Sequence, residues 1–294
     1  MTSRTDQLIV GLPSAGKTTF LAALWHVVEY DGIDASLVLD SLEGDREYLN
    51  EIRGRWLRCE PQRRTSSSSE ASVTMSLRDR NAGTTTQVHM PDMSGESFRA
   101  QWTARRWTRH YDDLVSCCNG VMLFVHPIGV REPRRIDEAD ALVAALGSAE
   151  EFVEQPARSP LIPAWNPDDA ATQVQLVELL QFIGARSDRR LRLAIVISAW
   201  DIAGRTASSP EHWLRGRLPL LWQYGSANDD TWVTDIFGLS AQGGDFEKDA
   251  DRLLNEHVPA KRIIVIKGET KTHDITLPVK ALMTELEPAI DFAG

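Results

Sequence analysis

Two hydrophobic periods alternate along this chain: short apolar runs of strand length, and longer stretches with apolar positions three or four apart. Leu8 to Val10 forms a first apolar run, and the residues from about 16 to 30 carry helical spacing. Ser36 to Leu39 reads as a short strand, followed by a charged helix with apolar teeth at Leu49, Ile52, Trp56 and Leu57. PQRRTSSSSE (61–70) has the composition of a loop. ASVTMSLRD and TTTQVHM then alternate with period two around Arg80-Asn81-Ala82-Gly83, a β-hairpin pattern. A helix is predicted over 96–118, then a buried strand at GVMLFVHP (120–127). Residues 128–188 read as a helical insertion, with helical spacing in Ile136 to Val153 and Ala170 to Ile183 on either side of a proline-rich linker. LRLAIVISAWD (191–201) is almost continuously apolar, as a strand covered on both faces should be. A tryptophan-bearing helix (210–224), the strand WVTDIFGLSA (232–241), a helix near 246–257, the strand RIIVI (262–266) and a terminal helix (277–288) complete the pattern.

Strands that alternate with helices predict a three-layer α/β/α architecture. The sheet should be mostly parallel, with one antiparallel edge strand supplied by the hairpin. The whole chain, 1–294, reads as a single domain with insertions at 128–188 and 203–230. At 42% hydrophobic residues a sizeable core is assured, and nine tryptophans look mainly like packing residues. A net charge of −10 argues against sequence-independent nucleic-acid binding, which needs an electropositive face. Arg53, Arg55, Arg58, Arg63 and Arg64 fit a solvated helix face better than a binding patch. Cys59, Cys117 and Cys118 form neither an even framework nor a metal-binding spacing, so reduced thiols and a cytoplasmic location are expected. No run approaches the ~18 apolar residues of a membrane span, and MTSRTDQ lacks the apolar core of a leader peptide.

Chemistry enters with Gly11-Leu12-Pro13-Ser14-Ala15-Gly16-Lys17-Thr18, the pattern G-x-x-x-x-G-K-[ST] between a strand and a helix. Glycines let the backbone curl so that successive N–H groups face one anion, and the helix N-terminus adds its positive end. Gly11, Pro13, Ser14, Ala15, Gly16, Lys17, Thr18 and Thr19 are the phosphate-binding candidates. Lys17 would reach the β- and γ-phosphates and the Thr18 hydroxyl would ligate Mg²⁺. The pattern implies a nucleoside triphosphate ligand.

Three further motifs stand at strand ends, where open α/β sheets bind ligands. Asp92 and Gly95 form D-x-x-G, a carboxylate for Mg²⁺ and a backbone N–H for a γ-phosphate. An Asp-Gly turn has the same spelling. Ser198-Ala199-Trp200-Asp201 offers a carboxylate that can accept from N1 and N2 of guanine, hydrogen bonds that adenine cannot give. Asp201 also fits a helix N-cap. Ser240-Ala241-Gln242 offers a backbone N–H to the guanine O6, and also fits an ordinary turn. Thr65, among Ser66 to Ser69, is a third metal candidate on a loop that could close over Mg²⁺. Glu96 stands where an attacking water would be oriented, or serves only as an acidic residue at a helix start. Arg64, with Arg63, could supply positive charge to a phosphoryl transition state, with Arg99, Arg105 and Arg106 as rivals.

In this order the motifs resemble those of the translation-factor-related (TRAFAC) class of P-loop GTPases. The tracts YLNEIRGRWLRCEPQRRT, MSGESFRAQWTARRW and THDITLP are similar to the bacterial double-GTPase, or GTPase-associated, group. The resemblance implies a Ras-like fold, GTP or GDP with Mg²⁺, slow hydrolysis, and a switch whose switch regions and helical insertions meet protein partners. A bacterial conflict or defence setting is implied too. Two positions depart from the pattern: Ala199 replaces the lysine that packs along the purine, and Glu96 replaces a glutamine. The first leaves room for an ATP-dependent enzyme, the second for a scaffold that binds nucleotide without hydrolysing it. His273-Asp274 looks like an exposed polar pair in which Asp274 or Thr276 caps the last helix.

Overall fold

The structure is a computed structural model and describes residues 4–30, 32–62, 73–91, 95–133, 169–284 and 286. Among these residues the strands are β1 (Arg4–Gly11), β2 (Leu37–Glu43), β3 (Val73–Asp79), β4 (Thr85–Met90), β5 (Gly120–Val125), β6 (Leu191–Ile197), β7 (Trp232–Ser240), β8 (Ile264–Lys267) and β9 (Thr270–Thr272). The helices are α1 (Lys17–Glu29), α2 (Arg46–Leu57), α3 (Gly95–Ala104), α4 (Arg109–Cys117), α5 (Thr172–Gly184), α6 (Trp200–Ala203), α7 (Pro210–Arg217), α8 (Pro219–Ala227), α9 (Ala250–Leu254) and α10 (Leu277–Leu282).

One sheet joins all the strands in the order β2-β3-β4-β1-β5-β6-β7-β8-β9. Its centre, β4-β1-β5-β6-β7, is parallel. Both flanks, β2-β3-β4 and β7-β8-β9, are antiparallel. The expected mostly parallel sheet is therefore mixed. β2 runs on to Glu43 because its polar residues lie on an edge that water can reach. β8 and β9 are joined by a tight turn at Gly268, whose φ of +55° suits glycine. Such a hairpin needs no crossover helix, so it leaves no helical spacing in the sequence to announce it.

The central strands are apolar on both faces because helices cover both. All of β5 is buried, and β6 is buried except at Arg192. On one face α1, α2 and α10 cover a core that includes Phe20, Leu24, Trp25 and Trp56. Phe20 packs on Phe124 with ring centroids 5.0 Å apart. On the other face α4, α5, α7 and α8 cover Tyr111, Leu180, Trp213 and Leu221.

Several helices differ from their expected extents for local reasons. The helix predicted over 96–118 breaks into α3 and α4: Arg105 takes a left-handed φ of +50° and the Thr108 hydroxyl caps α4 by accepting from Tyr111 N. The helix predicted over 210–224 splits at Pro219, which has no N–H to continue the ladder. Before α9, the Asp245 carboxylate accepts from Glu247 N and Lys248 N and replaces a helical turn. Ile136 to Val153 and the proline-rich linker lie outside the described residues, whereas the second half of the 128–188 insertion forms α5.

Of His273-Asp274, expected as an exposed pair, His273 is exposed but Asp274 is buried. Asp274 is 7% exposed; it accepts from Ser36 N at 2.9 Å and from Thr276 N and Oγ at 2.9 and 2.5 Å. Thr276 occupies the N-cap position of α10 without a side-chain cap bond, and its hydroxyl accepts from Leu37 N. Both residues tie α10 to the start of β2.

Candidate functional site

The segment from β1 to α1 folds as a phosphate cradle needs. Gly11 has φ +148°, and a Cβ there would lie 2.6 Å from the Phe124 carbonyl oxygen. Gly16 has φ +95°, and a Cβ there would lie 3.0 Å from Ser198 Cβ. Gly11 therefore excludes a side chain by conformation and by backbone contact, and Gly16 disfavours one by conformation while any Cβ there would crowd Ser198. Ser14, with φ +62°, adds another left-handed residue, and Pro13 and Ser14 are exposed at the loop's tip while Ala15 is buried beneath it. Gly16 is the N-cap of α1 and no side chain caps that helix. The first-turn N–H groups and the positive helix end thus face the loop. Lys17 folds back, its Nζ donating to the carbonyls of Gly11 at 2.7 Å and Leu12 at 3.0 Å. Thr18 and Thr19 are half-buried in the first turn.

The ends of β6 and β7 meet beside this cradle. Ser198 donates from N and Oγ to the Val125 carbonyl, at 2.8 and 3.2 Å, and packs on Gly16. It therefore supports the loop from behind. Ala199, with φ +46°, turns the chain into α6. Asp201 then presents Oδ1 to the Ser240 hydroxyl at 2.5 Å, and that hydroxyl accepts from Gly243 N at 3.0 Å. Two of the motif residues picked out by sequence, 39 positions apart, thus touch. Trp200 does not face this space: it is buried in the core, and its ring lies so near Gly238 that a Cβ there would stand 2.5 Å away.

Two neighbours were missed by the sequence reading. His126, just beyond β5, is pushed down from its ordinary pKa by burial, while the charge of Asp201 acts in the opposite direction. Trp56, read only as an apolar tooth of α2, donates its indole N–H to the Ala241 carbonyl at 2.9 Å. Around that bond, Gln242 Nε2 donates to Trp56 O and Cys59 Sγ, and the Arg262 guanidinium reaches Leu57 O and lies over the indole. The His26 ring also packs on Trp56, with centroids 5.1 Å apart, and Arg53 Nε donates to His26 Nδ1. Burial, together with the charges of Arg53 and Arg262, lowers the His26 pKa to about 4. A buried tryptophan usually finds a partner for its N–H, and that preference is the signal that could have marked Trp56.

Asp92, Thr65, Arg63 and Arg64 lie outside the described residues. Gly95 opens α3, with Glu96 in its first turn. Arg105 ends up past the far end of α3, about 15 Å along a helix of this length, where it pairs with Glu178. Arg53, Arg55 and Arg58 form no common patch: Arg53 lies over Tyr30, Arg55 pairs with Glu51 and Arg58 with Glu60. Among the described residues no three His, Cys, Asp or Glu side chains gather as a metal site, and no helix is long and apolar enough to cross a membrane.

The family model Double-GTPase 1 matches residues 8–282, from β1 to the end of α10. The chain belongs to the Double-GTPase 1 family. No curated protein sequence matches it. Solved structures with similar folds include the GTP-bound GTPase-like domain of Ski7 from S. cerevisiae, at 11% identity and a TM-score of 0.46, covering 97% of this chain and 51% of that one. The Arl6 (BBS3) small GTPase from Trypanosoma brucei is 12% identical with a TM-score of 0.32, covering 87% of this chain and 98% of that one. The bacterial selenocysteine-specific elongation factor EF-Sec is 13% identical with a TM-score of 0.38. The alignment covers 85% of this Double-GTPase 1 chain but only 27% of EF-Sec.

Two outcomes are expected from this geometry. In Trp56→Phe the Ala241 carbonyl loses its donor, and amide hydrogen exchange at 241–243 should accelerate by roughly ten-fold, about 1.4 kcal/mol of local opening. Unchanged exchange would show that Trp56 does not hold this loop. The second concerns pH. Unfolded His26 takes up a proton near its ordinary pKa, whereas the folded residue resists until about pH 4. Stability should therefore fall as pH drops from about 6.5 towards 4, by at most about 1.4 kcal/mol per pH unit from this group. Chemical denaturation at several pH values should show a shallower fall in His26→Gln, and an identical slope in both proteins would contradict the assignment.

Proposed function

We propose that this chain is a GTP-binding switch that hydrolyses GTP slowly with Mg²⁺ and passes its nucleotide state to partner proteins. The observation that carries this reading is the contact between Asp201 and Ser240, where the ends of β6 and β7 meet, with Ser198 at the same end of β6 packing on Gly16. A purine-reading carboxylate and a phosphate cradle thereby share one rim. In this reading the 11–18 backbone and Lys17 hold the phosphates, and Gly95 N–H meets the γ-phosphate. Asp201 accepts from guanine N1 and N2, and Ala241 N–H donates to O6. Thr18, Asp92 and Thr65 would hold the metal ion, which when bound neutralises charge on the β- and γ-phosphate oxygens.

Hydrolysis joins a water oxygen to the γ-phosphorus and breaks the bond to the β–γ bridging oxygen, leaving GDP and phosphate. Glu96 can accept from that water, but its charge repels the γ-phosphate, so turnover without a partner is slow. Arg64 is the candidate for supplying positive charge in cis, and contacts with partners at the switch segments or insertions would raise the rate. Ala199 gives no aliphatic stem along the purine, which weakens binding rather than abolishing it. We place the chain in the cytoplasm as one GTPase domain, with 128–188 and 203–230 as partner surfaces. Its membership of the Double-GTPase 1 family is in keeping with a bacterial conflict system.

Phosphate release from GTP tests this reading. The chain with Mg²⁺ should turn over at about 10⁻⁴ to 10⁻² s⁻¹, the range of GTPases without an activating partner. Lys17→Ala, or removal of Mg²⁺ with a chelator, should lower that rate at least roughly ten-fold. Equal rates in chain and variant would assign the activity elsewhere, and no release from either would leave a binding scaffold.

A further inference from the structure

The break between α3 and α4 places arginines around a groove that the nucleotide site does not use. This groove, about 400 Å³ in volume, is lined by Arg105, Arg106, Trp107, Arg109, Phe182 and Arg186 among others. Its floor is aromatic: Trp107 meets Phe182 at 5.7 Å and Tyr111 at 4.9 Å, both edge-on. Arg105 pairs with Glu178 and Arg186 with Asp112. Arg106 and Arg109 are exposed and form no ion pair with any described residue.

Two of these arginines sit where local preference runs against them. Arg105 ends α3 in the left-handed conformation, where glycine is the usual residue. Arg109 is the first residue of α4, directly after its Thr108 cap, so its charge faces the positive end of the helix. Local rules are most often broken at functional sites. The cluster also stands out electrostatically, because the chain as a whole carries −10. Arginine and tryptophan together are the side chains that dominate protein interfaces. A guanidinium fork matches a carboxylate in two hydrogen bonds, and the ring floor accepts an apolar side chain between such carboxylates.

We propose that this groove binds an acidic peptide segment of a partner protein, its carboxylates on Arg106 and Arg109 and an apolar side chain on Trp107 and Phe182. A nucleic acid fits less well. Asp112 lines the same groove, Glu178 is held by Arg105, and the rest of the surface offers no net positive field to a phosphate chain.

Fluorescence anisotropy of a fluorescein-labelled Glu-Glu-Phe-Glu-Asp-Leu-Glu-Glu peptide, titrated with the full chain, tests the proposal. The same peptide with Gln for every acid, and a single-stranded oligothymidine, serve as comparators. Saturable binding in the micromolar range is expected, weakening at higher salt. The Gln peptide should bind at least about ten-fold more weakly. Arg106→Gln/Arg109→Gln should cost roughly ten-fold or more, and Trp107→Ala roughly five-fold, with thermal melts unchanged for the exposed arginine pair. Absence of saturable binding would overturn the proposal. So would equal affinity in the arginine variant, or tighter binding of oligothymidine than of the peptide.

Discussion

The approach of Gly16 to Ser198 is the constraint on which the site depends. The phosphate loop lies so close to the end of β6 that even a methyl group at position 16 would crowd Ser198 Cβ. Ser198 is in turn pinned to the Val125 carbonyl at the end of β5. Three neighbouring parallel strands, β1, β5 and β6, therefore fix the loop and the segment that follows β6 as one unit. From Ser198, a left-handed turn at Ala199 carries the chain to Asp201, and Asp201 takes the hydroxyl of Ser240 from the next strand. Each link is short, so the spacing between the phosphate cradle and the carboxylate is set by sheet geometry rather than by a flexible loop.

A second, buried layer supports that rim from the side. Helix α2 reaches across with Trp56 to hold the Ala241 carbonyl, and Gln242, Cys59 and Arg262 close around the same bond. The chain leaves this cluster through Cys59, itself in a left-handed conformation, and continues to the segment that carries Thr65. The loop after β7 and the root of that segment thus share one hydrogen-bonded cluster. On the other face of the sheet, the helix that starts at Gly95 ends at the arginine groove.

What could be read from the sequence were features with a fixed residue type at a fixed local spacing. Gly11, Gly16 and Lys17 are legible because the curl, the helix entry and the ammonium each demand one kind of residue. β5 and β6 are legible because burial on both faces leaves an unbroken apolar run. The features that escaped depend on partners distant in the chain. Trp56 and Ala241 are 185 residues apart, and Asp274 and Ser36 are 238 apart, so neither bond leaves a local trace. β9 and the far end of β2 escaped for a related reason: at an edge, a short half-polar strand resembles a loop. The break at Arg105 was hidden because helical spacing continues across it, from Trp102 to Tyr111. The split at Pro219 is of another kind, because a proline is a local helix breaker that the sequence itself displays.

The most direct test of the account compares GTP and ATP as competitors for a fluorescent GTP analogue, on the chain and on Asp201→Ala. If Asp201 reads guanine, the chain prefers GTP by at least about ten-fold, and the variant loses this preference by binding GTP more weakly while its ATP affinity stays the same. An Asp201→Ala protein that still favours GTP, or a chain that never does, would contradict it.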